Sequence, residues 1–178
     1  MGQSLPLLEH DPSQVAALFA ELRAISTRSN SGSGEGCLLV LDIDHFRLLA
    51  EALGEDSAEA ALIRVATTVT RLLPPDSHIV RLGSDKFAVL LSAVPLSRAL
   101  ALAEILRATL STPGRDRYDP PVSVSIGLAD ALGLHGEPPA AALDRAGAAL
   151  LRAKRDGRNR TRVAPPPRPG SRSPQGAL

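Results

Sequence analysis

Two carboxylates stand at the end of a continuously apolar stretch of this 178-residue chain. Cys37-Leu38-Leu39-Val40-Leu41 runs directly into Asp42-Ile43-Asp44, the pattern of a central strand buried on both faces that delivers acid at its C-terminal end. An acid in that place either ligates a cation or caps the next element; taken alone, Asp42 reads as a cap or surface residue, and Asp44 is placed to cap the helix that follows. Another acid, Asp85, lies in Gly83-Ser84-Asp85-Lys86 between two short β-type runs, so this turn faces solvent or a ligand. Farther along, Lys154, Arg155, Arg158, Arg160 and Arg162 form a basic cluster. Such a cluster either complements the C-terminal dipole of a helix or receives an anion, and the residues alone leave both readings open. His45 reads as a surface residue at a helix start, His78 and His135 have no partner at a recognisable spacing, and Cys37 reads as a small core residue.

Positioning these groups requires a regular frame. Asp11-Pro12 offers an N-cap with proline at the first helical position, and Val15, Leu18, Phe19 and Leu22 follow at helical spacing to about Thr27. Ser29 to Gly36 reads as a flexible connector. After the Cys37 strand, Phe46, Leu48, Leu49 and Leu53 predict a short helix closed by Gly54. A second helix starts at Asp56, carries Ala61, Leu62, Val65, Val69 and Leu72, and stops at Pro74-Pro75. His78 to Leu82 and Lys86 to Ser92 predict an antiparallel hairpin, Leu96 to Leu110 a helix, Val122 to Leu128 a strand and Pro139 to Arg155 a last amphipathic helix. From Ala164 the Pro-rich tail lacks the apolar content to offset ordering entropy and is expected to be disordered. The division expected is residues 1–35 (helix and connector), 36–163 (the domain) and 164–178 (the tail).

Composition narrows the function classes. Lys plus Arg number 20 and Asp plus Glu 19, giving a net charge of +1, so a polyelectrolyte partner is not the obvious reading. Aromatic residues make up 2% of the chain, too few for base-stacking platforms, which makes nucleic acid an unexpected partner. A single cysteine, no secretory leader and no apolar run near the ~20 residues of a membrane span point to a cytoplasmic protein with no membrane partner.

Four ordered strings are more specific. Asp42-Ile43-Asp44-His45-Phe46-Arg47, Arg81-Leu82-Gly83-Ser84-Asp85-Lys86-Phe87, Val122-Ser123-Val124-Ser125-Ile126-Gly127 and Ala153-Lys154-Arg155-Asp156-Gly157-Arg158-Asn159 resemble the GGDEF domain of diguanylate cyclases, over roughly residues 36–163. The resemblance implies an α+β fold, a ferredoxin-like palm of the nucleotidyl cyclase type with a central antiparallel sheet flanked by helices. In that family two GTP molecules are joined into cyclic di-GMP, each half of a dimer presents one nucleotide, and two metal ions lie between the first strand and the hairpin. By resemblance Asp42, the carbonyl of Ile43 and Asp85 are the metal positions, and Lys154 and Arg158 hold the triphosphate. The amides of His45, Phe46 and Arg47 open a helix where unpaired N–H groups attract phosphate.

The signature itself departs from the family. Its second acidic position is Lys86, and at ~4 Å a unit-charge interaction amounts to about 4 kcal/mol at an effective dielectric of 20, so the charge reversal opposes metal loading and favours an Asp42–Lys86 ion pair. Ser84 replaces a glycine whose freedom at positive φ suits a tight turn beside substrate. Ala50 and Glu59 stand at the guanine-contacting Asn and Asp positions, and Pro74-Pro75-Asp76-Ser77 replaces the Arg-x-x-Asp product-inhibition motif. The N-terminal Asp-x-Leu-Thr-Gly-Leu signature is missing, and no sensor domain is expected in the about 35 residues before the core. The expected function is therefore a degenerate GGDEF domain of bacterial cyclic di-GMP signalling, catalytically inactive, with the degenerate positions Ser84, Asp85 and Lys86. It would bind GTP or another nucleotide, or dock a protein partner; a homodimer remains open. The alternatives are a weak or altered cyclase that uses Mg, and a pure docking domain; no cofactor is expected outside the cyclase reading.

Overall fold

The computed structural model describes residues 11–29, 35–113, 122–131 and 139–166. Most of the Ser29–Gly36 connector, His135 and the tail from Pro167 lie outside the described residues.

Alternation along one strand organises the molecule. Strand β1 (Gly36–Ile43) is buried at every position. Cys37, Leu39, Leu41 and Ile43 point into one core, and Leu38 and Val40 into the other. The first core is closed by helices α3 (Glu55–Leu72) and α4 (Leu96–Ser111), which contribute Ala61, Val65, Val69, Ala103 and Leu106. The second is closed by α1 (Pro12–Ser29) and α5 (Pro139–Arg155), through Leu18, Leu22, Ile25, Ala142, Ala146 and Leu150. Helix α2 (Phe46–Leu53) follows β1 directly and buries no residue fully.

The sheet order is β2-β3-β1-β4-β5, with β2 (His78–Arg81), β3 (Lys86–Ser92), β4 (Val124–Asp130) and β5 (Thr161–Val163). β1 pairs antiparallel with β3 on one side and β4 on the other. The expected palm of sheet and flanking helices is present. Its sheet is mixed, because β5, which hydrophobic pattern did not announce, adds parallel to β4 at the edge. Three residues are too short for a periodic signal, and Arg160 O accepting from Ile126 N at 2.9 Å helps hold them there. Cys37 is the core residue expected: its thiol donates to Val94 O at 3.4 Å, and burial first, with Asp130 and Glu35 adding to it, pushes its pKa up to about 12.

Sheet and α5 meet most closely at Gly127. A Cβ there would lie 2.0 Å from Ala146 O and 2.3 Å from Leu150 N, so the backbones touch where any side chain would stand. This contact fixes α5, and with it Lys154, against the sheet. Gly127→Ala forces α5 outward and is expected to destabilise the domain by more than about 3 kcal/mol, read from urea unfolding.

Candidate functional site

The alternation that sorts the core also aims the site. Asp42 continues the series of Leu38 and Val40 toward the α5 face, and Lys86 is its Cα partner on β3. Asp42 is 3% exposed. Its partner, however, is not the neighbouring lysine. Lys154 Nζ, from the last turn of α5, lies 2.6 Å from Asp42 Oδ1. The expected Asp42–Lys86 pair is therefore corrected: α5, pressed on the sheet at Gly127, brings a more distant lysine onto the carboxylate first. Lys86 is half-buried beside it and makes no ion-pair contact among the described residues, although its charge acts on Asp42. Burial pushes the Asp42 carboxyl above its ordinary range; the hydrogen bond from Lys154 opposes this, Asp85 adds to it, and the charges of Lys154 and Lys86 oppose it.

Asp44 does something other than cap α2. Its Oδ2 accepts from Ser123 Oγ at 2.6 Å and from Asn159 N at 3.0 Å, and its Oδ1 from Ser125 Oγ at 2.7 Å. Helix α2 instead starts from His45, which is exposed, left-handed at φ 58°, and makes no side-chain cap. Asn159 is itself left-handed at φ 43°, as is Arg158 at 58°, and Asn159 Oδ1 accepts from Arg107 and Ser111 at 3.0 Å each. A buried acid thus pins the loop that carries Arg158 to the ends of β1 and β4. Sequence reasoning missed this hub; the two serines at alternate positions of one string, opposite an acid, were the available signal.

The hairpin is held from within. Arg81 Nε donates to Gly83 O at 2.7 Å and its terminal nitrogen to Ser84 O at 2.6 Å. Asp85 O accepts from Ile43 N at 3.0 Å, which sets the turn against the end of β1. Ser84 Oγ lies 3.1 Å from Asp85 Oδ1 and is exposed. Neither Gly83 nor Ser84 takes a positive φ, so the conformational argument for glycine at position 84 does not apply to this turn.

The phosphate-facing set is only partly free. Phe46 packs against the core, and Arg47, 91% exposed, pairs with Glu51 at 2.8 Å. Lys154 is engaged by Asp42. Arg158 is exposed with no side-chain partner among the described residues, while Arg162 pairs with Asp156 at 2.6 Å. The basic cluster is therefore divided, part of it internally compensated and part open to solvent.

The metal positions fare differently. Asp42, the Ile43 carbonyl and Asp85 lie together at the β1 end of the hairpin, yet an ammonium already neutralises Asp42 and a second one flanks it. Among the described residues no group of three or more His, Cys, Asp or Glu side chains is placed to hold a metal ion. As arranged, these residues do not fit a pair of divalent ions.

Comparison with known proteins agrees with the fold and the strings. The family described as diguanylate cyclase, GGDEF domain, matches residues 16–160. The chain is 33% identical over 149 residues to the diguanylate cyclase DgcP of Pseudomonas aeruginosa, covering 84% of this chain and 22% of that protein. It is 35% identical over 130 residues to DgcM of Escherichia coli, covering 71% of this chain and 30% of that one. The chain thus spans under a third of the length of these relatives. Among solved structures, the GGDEF domain of DgcB from Caulobacter crescentus, in complex with c-di-GMP, superposes with a TM-score of 0.72 at 29% identity, covering 83% of this chain and 88% of that one. The diguanylate cyclase SiaD of Pseudomonas aeruginosa, in complex with its activator SiaC, gives 0.74 at 28% identity, covering 87% and 61%. This chain belongs to the GGDEF domain family of cyclic di-GMP signalling. No helix among the described residues is long and apolar enough to cross a membrane.

Asp42 also sets a pH dependence. Because its folded pKa is raised, the folded state holds a proton that the unfolded chain has released, and Asp42's contribution to stability falls as pH rises from its ordinary 3.8 through the raised value. Denaturant unfolding of the parent and of Asp42→Asn, compared between about pH 3 and about pH 7, should show the variant gaining on the parent with increasing pH.

Proposed function

We propose that this chain is a catalytically silent GGDEF domain that serves cyclic di-GMP signalling as a nucleotide-binding or protein-docking module. One observation carries the reading. The carboxylate that would have to receive a divalent cation is held 2.6 Å from Lys154 Nζ, with Lys86 beside it. A divalent ion would have to displace one ammonium and approach another, and each unit-charge repulsion at ~4 Å costs about 4 kcal/mol at an effective dielectric of 20 for a singly charged ion, twice that for a divalent one. Ala50 has no side-chain polar group to offer guanine, so selection of GTP over other nucleotides is weak in this reading.

What the site retains suits an anion. The first turn of α2 presents backbone N–H groups, and Arg158 is held on a loop fixed by Asp44. These groups would receive the phosphates of GTP or another nucleotide. Relatives of the same fold include one solved with c-di-GMP and one with an activator protein, which supports both kinds of partner.

The contrary reading, a weak cyclase using Mg, draws support from the backbone bond Ile43 N to Asp85 O, which keeps the two acidic positions adjacent. Incubation with GTP and Mg²⁺ or Mn²⁺, followed by chromatography for cyclic di-GMP, decides between them: no product above a protein-free control is expected, and sustained turnover would establish the cyclase. Lys86→Glu restores the missing negative charge, and calorimetry should show its Mn²⁺ affinity at least about tenfold above the parent's, equivalent to about 1.4 kcal/mol.

A further inference from the structure

The two faces of α5 are built differently. Ala142, Ala146, Ala149 and Leu150 are buried in the second core, whereas Asp144, Ala148, Leu151 and Arg155, spaced by four, three and four residues, form one exposed ridge about 16 Å long on the opposite side. Leu151, near the middle of the ridge, is 56% exposed. Neither end charge is used within the fold: Asp144 and Arg155 have no partner among the described residues.

A glycine beside the ridge is a second and independent observation. Gly147 sits in the interior of α5, where glycine costs about 1 kcal/mol relative to alanine. Neither conformation nor packing asks for it, because its φ is not positive and a Cβ there would meet nothing within 4 Å. A missing side chain on an exposed helix face lets another backbone come close. Together with Asp144, Ala148 and Leu151, Gly147 frames the four-residue hole that a side chain from a facing helix enters, and its floor is made of two of the smallest residues. Space continues on either side, in recesses of about 300 and about 350 Å³ that both reach Leu151.

The ridge is its own complement. Turned end for end about a point between Ala149 and Leu150, it sets Asp144 of one copy against Arg155 of another and Leu151 against Ala148, and the same operation makes the reciprocal contacts. The charged pair and the apolar pair share one midpoint, which singles out a second copy over an unrelated partner. On one flank, Arg145 and Arg152 turn to carbonyls of their own chain, Asp130 O at 2.8 Å and Val163 O at 3.1 Å. Lys154, on the other flank, is held by Asp42. The positive charge of these flanks keeps the association weak.

We propose that α5 pairs antiparallel with α5 of a second copy, Leu151 entering the hole over Gly147 and Ala148 and Asp144 meeting Arg155 at each end. Antiparallel pairing sends the two Asp42 ends in opposite directions, so this surface is separate from any contact that would bring two nucleotides face to face. It does not rest on the nucleotide reading, and a flat titration with GTP leaves it standing. A single helix pair lies at the small end of interface sizes, under about 1,200 Å², which sets the dimer Kd between about 10 μM and about 1 mM.

Sedimentation equilibrium of the full chain without nucleotide, from about 10 μM to about 2 mM, tests it, and a monomer–dimer equilibrium is expected. Asp144→Arg and Arg155→Asp each set like charges against one another at both ends and should weaken dimerisation at least about tenfold. The double variant Asp144→Arg/Arg155→Asp reverses both pairs and should return to within about threefold of the parent. Gly147→Leu fills the hole and should weaken dimerisation at least about tenfold without lowering the thermal midpoint of the dilute protein. If Gly147→Leu does not fold, Leu151→Ala takes its place with the same expected loss. A monomer at every concentration, as when another segment of the chain covers the ridge, would overturn the proposal. So would a dimer indifferent to these substitutions, or a double variant that stays as weak as the single ones.

Discussion

A buried carboxylate at the end of a central strand needs a cation or converging hydrogen-bond donors, and for Asp42 the identity of the cation bears on what the site can do. Here the chain supplies it, by way of the Lys154–Asp42 ion pair. Close packing of α5 at Gly127 delivers the lysine, and the alternation of β1 turns the acid toward it. The pair joins sheet and helix at one end, and Lys86 stands beside it, its charge acting on the same carboxylate. In the proposed reading, an internal ammonium stands where the carboxylate would otherwise meet an external ion.

Asp44, two residues on, meets the same difficulty differently. Its charge is satisfied by two serine hydroxyls and the amide of Asn159, an arrangement in which the hydrogen bonds do what an ion pair does for Asp42. Two consecutive left-handed residues other than glycine, Arg158 and Asn159, persist in the loop because Asp44 on one side and Arg107 with Ser111 on the other hold Asn159. Strain of that kind survives only where the surroundings over-determine the backbone, so the position of Arg158 is built in before any ligand arrives.

The frame was legible in the sequence because hydrophobic period reports which face of an element is covered. The apolar run before Asp42, the periodic helices and the Gly83-Ser84 turn all announced themselves, and most elements begin within a residue or two of where their patterns begin. What sequence could not show was pairing at a distance. Asp42 had Lys86 in the hairpin signature and Lys154 more than a hundred residues away, and only the packing of α5 decides between them. The backbone of the 83–84 turn was misjudged for a related reason: Arg81 supplies the carbonyl contacts that curl it, so no positive φ is required.

The departures from the family pattern are distributed in a way that bears on what the domain is for. Ser84 and Glu59 are exposed, and Ala50 and Lys86 are half-buried, so none of these four side chains belongs to either core. The residues on which the shape depends are of the other sort: Gly127 where backbones touch, Asp44 where three donors converge, Arg81 where the hairpin curls. Changes confined to positions that contact solvent or ligand leave the folding energetics nearly untouched while altering the chemistry at the surface. A domain altered in this way keeps its outline and its loop geometry while the groups it presents to solvent differ from the family's.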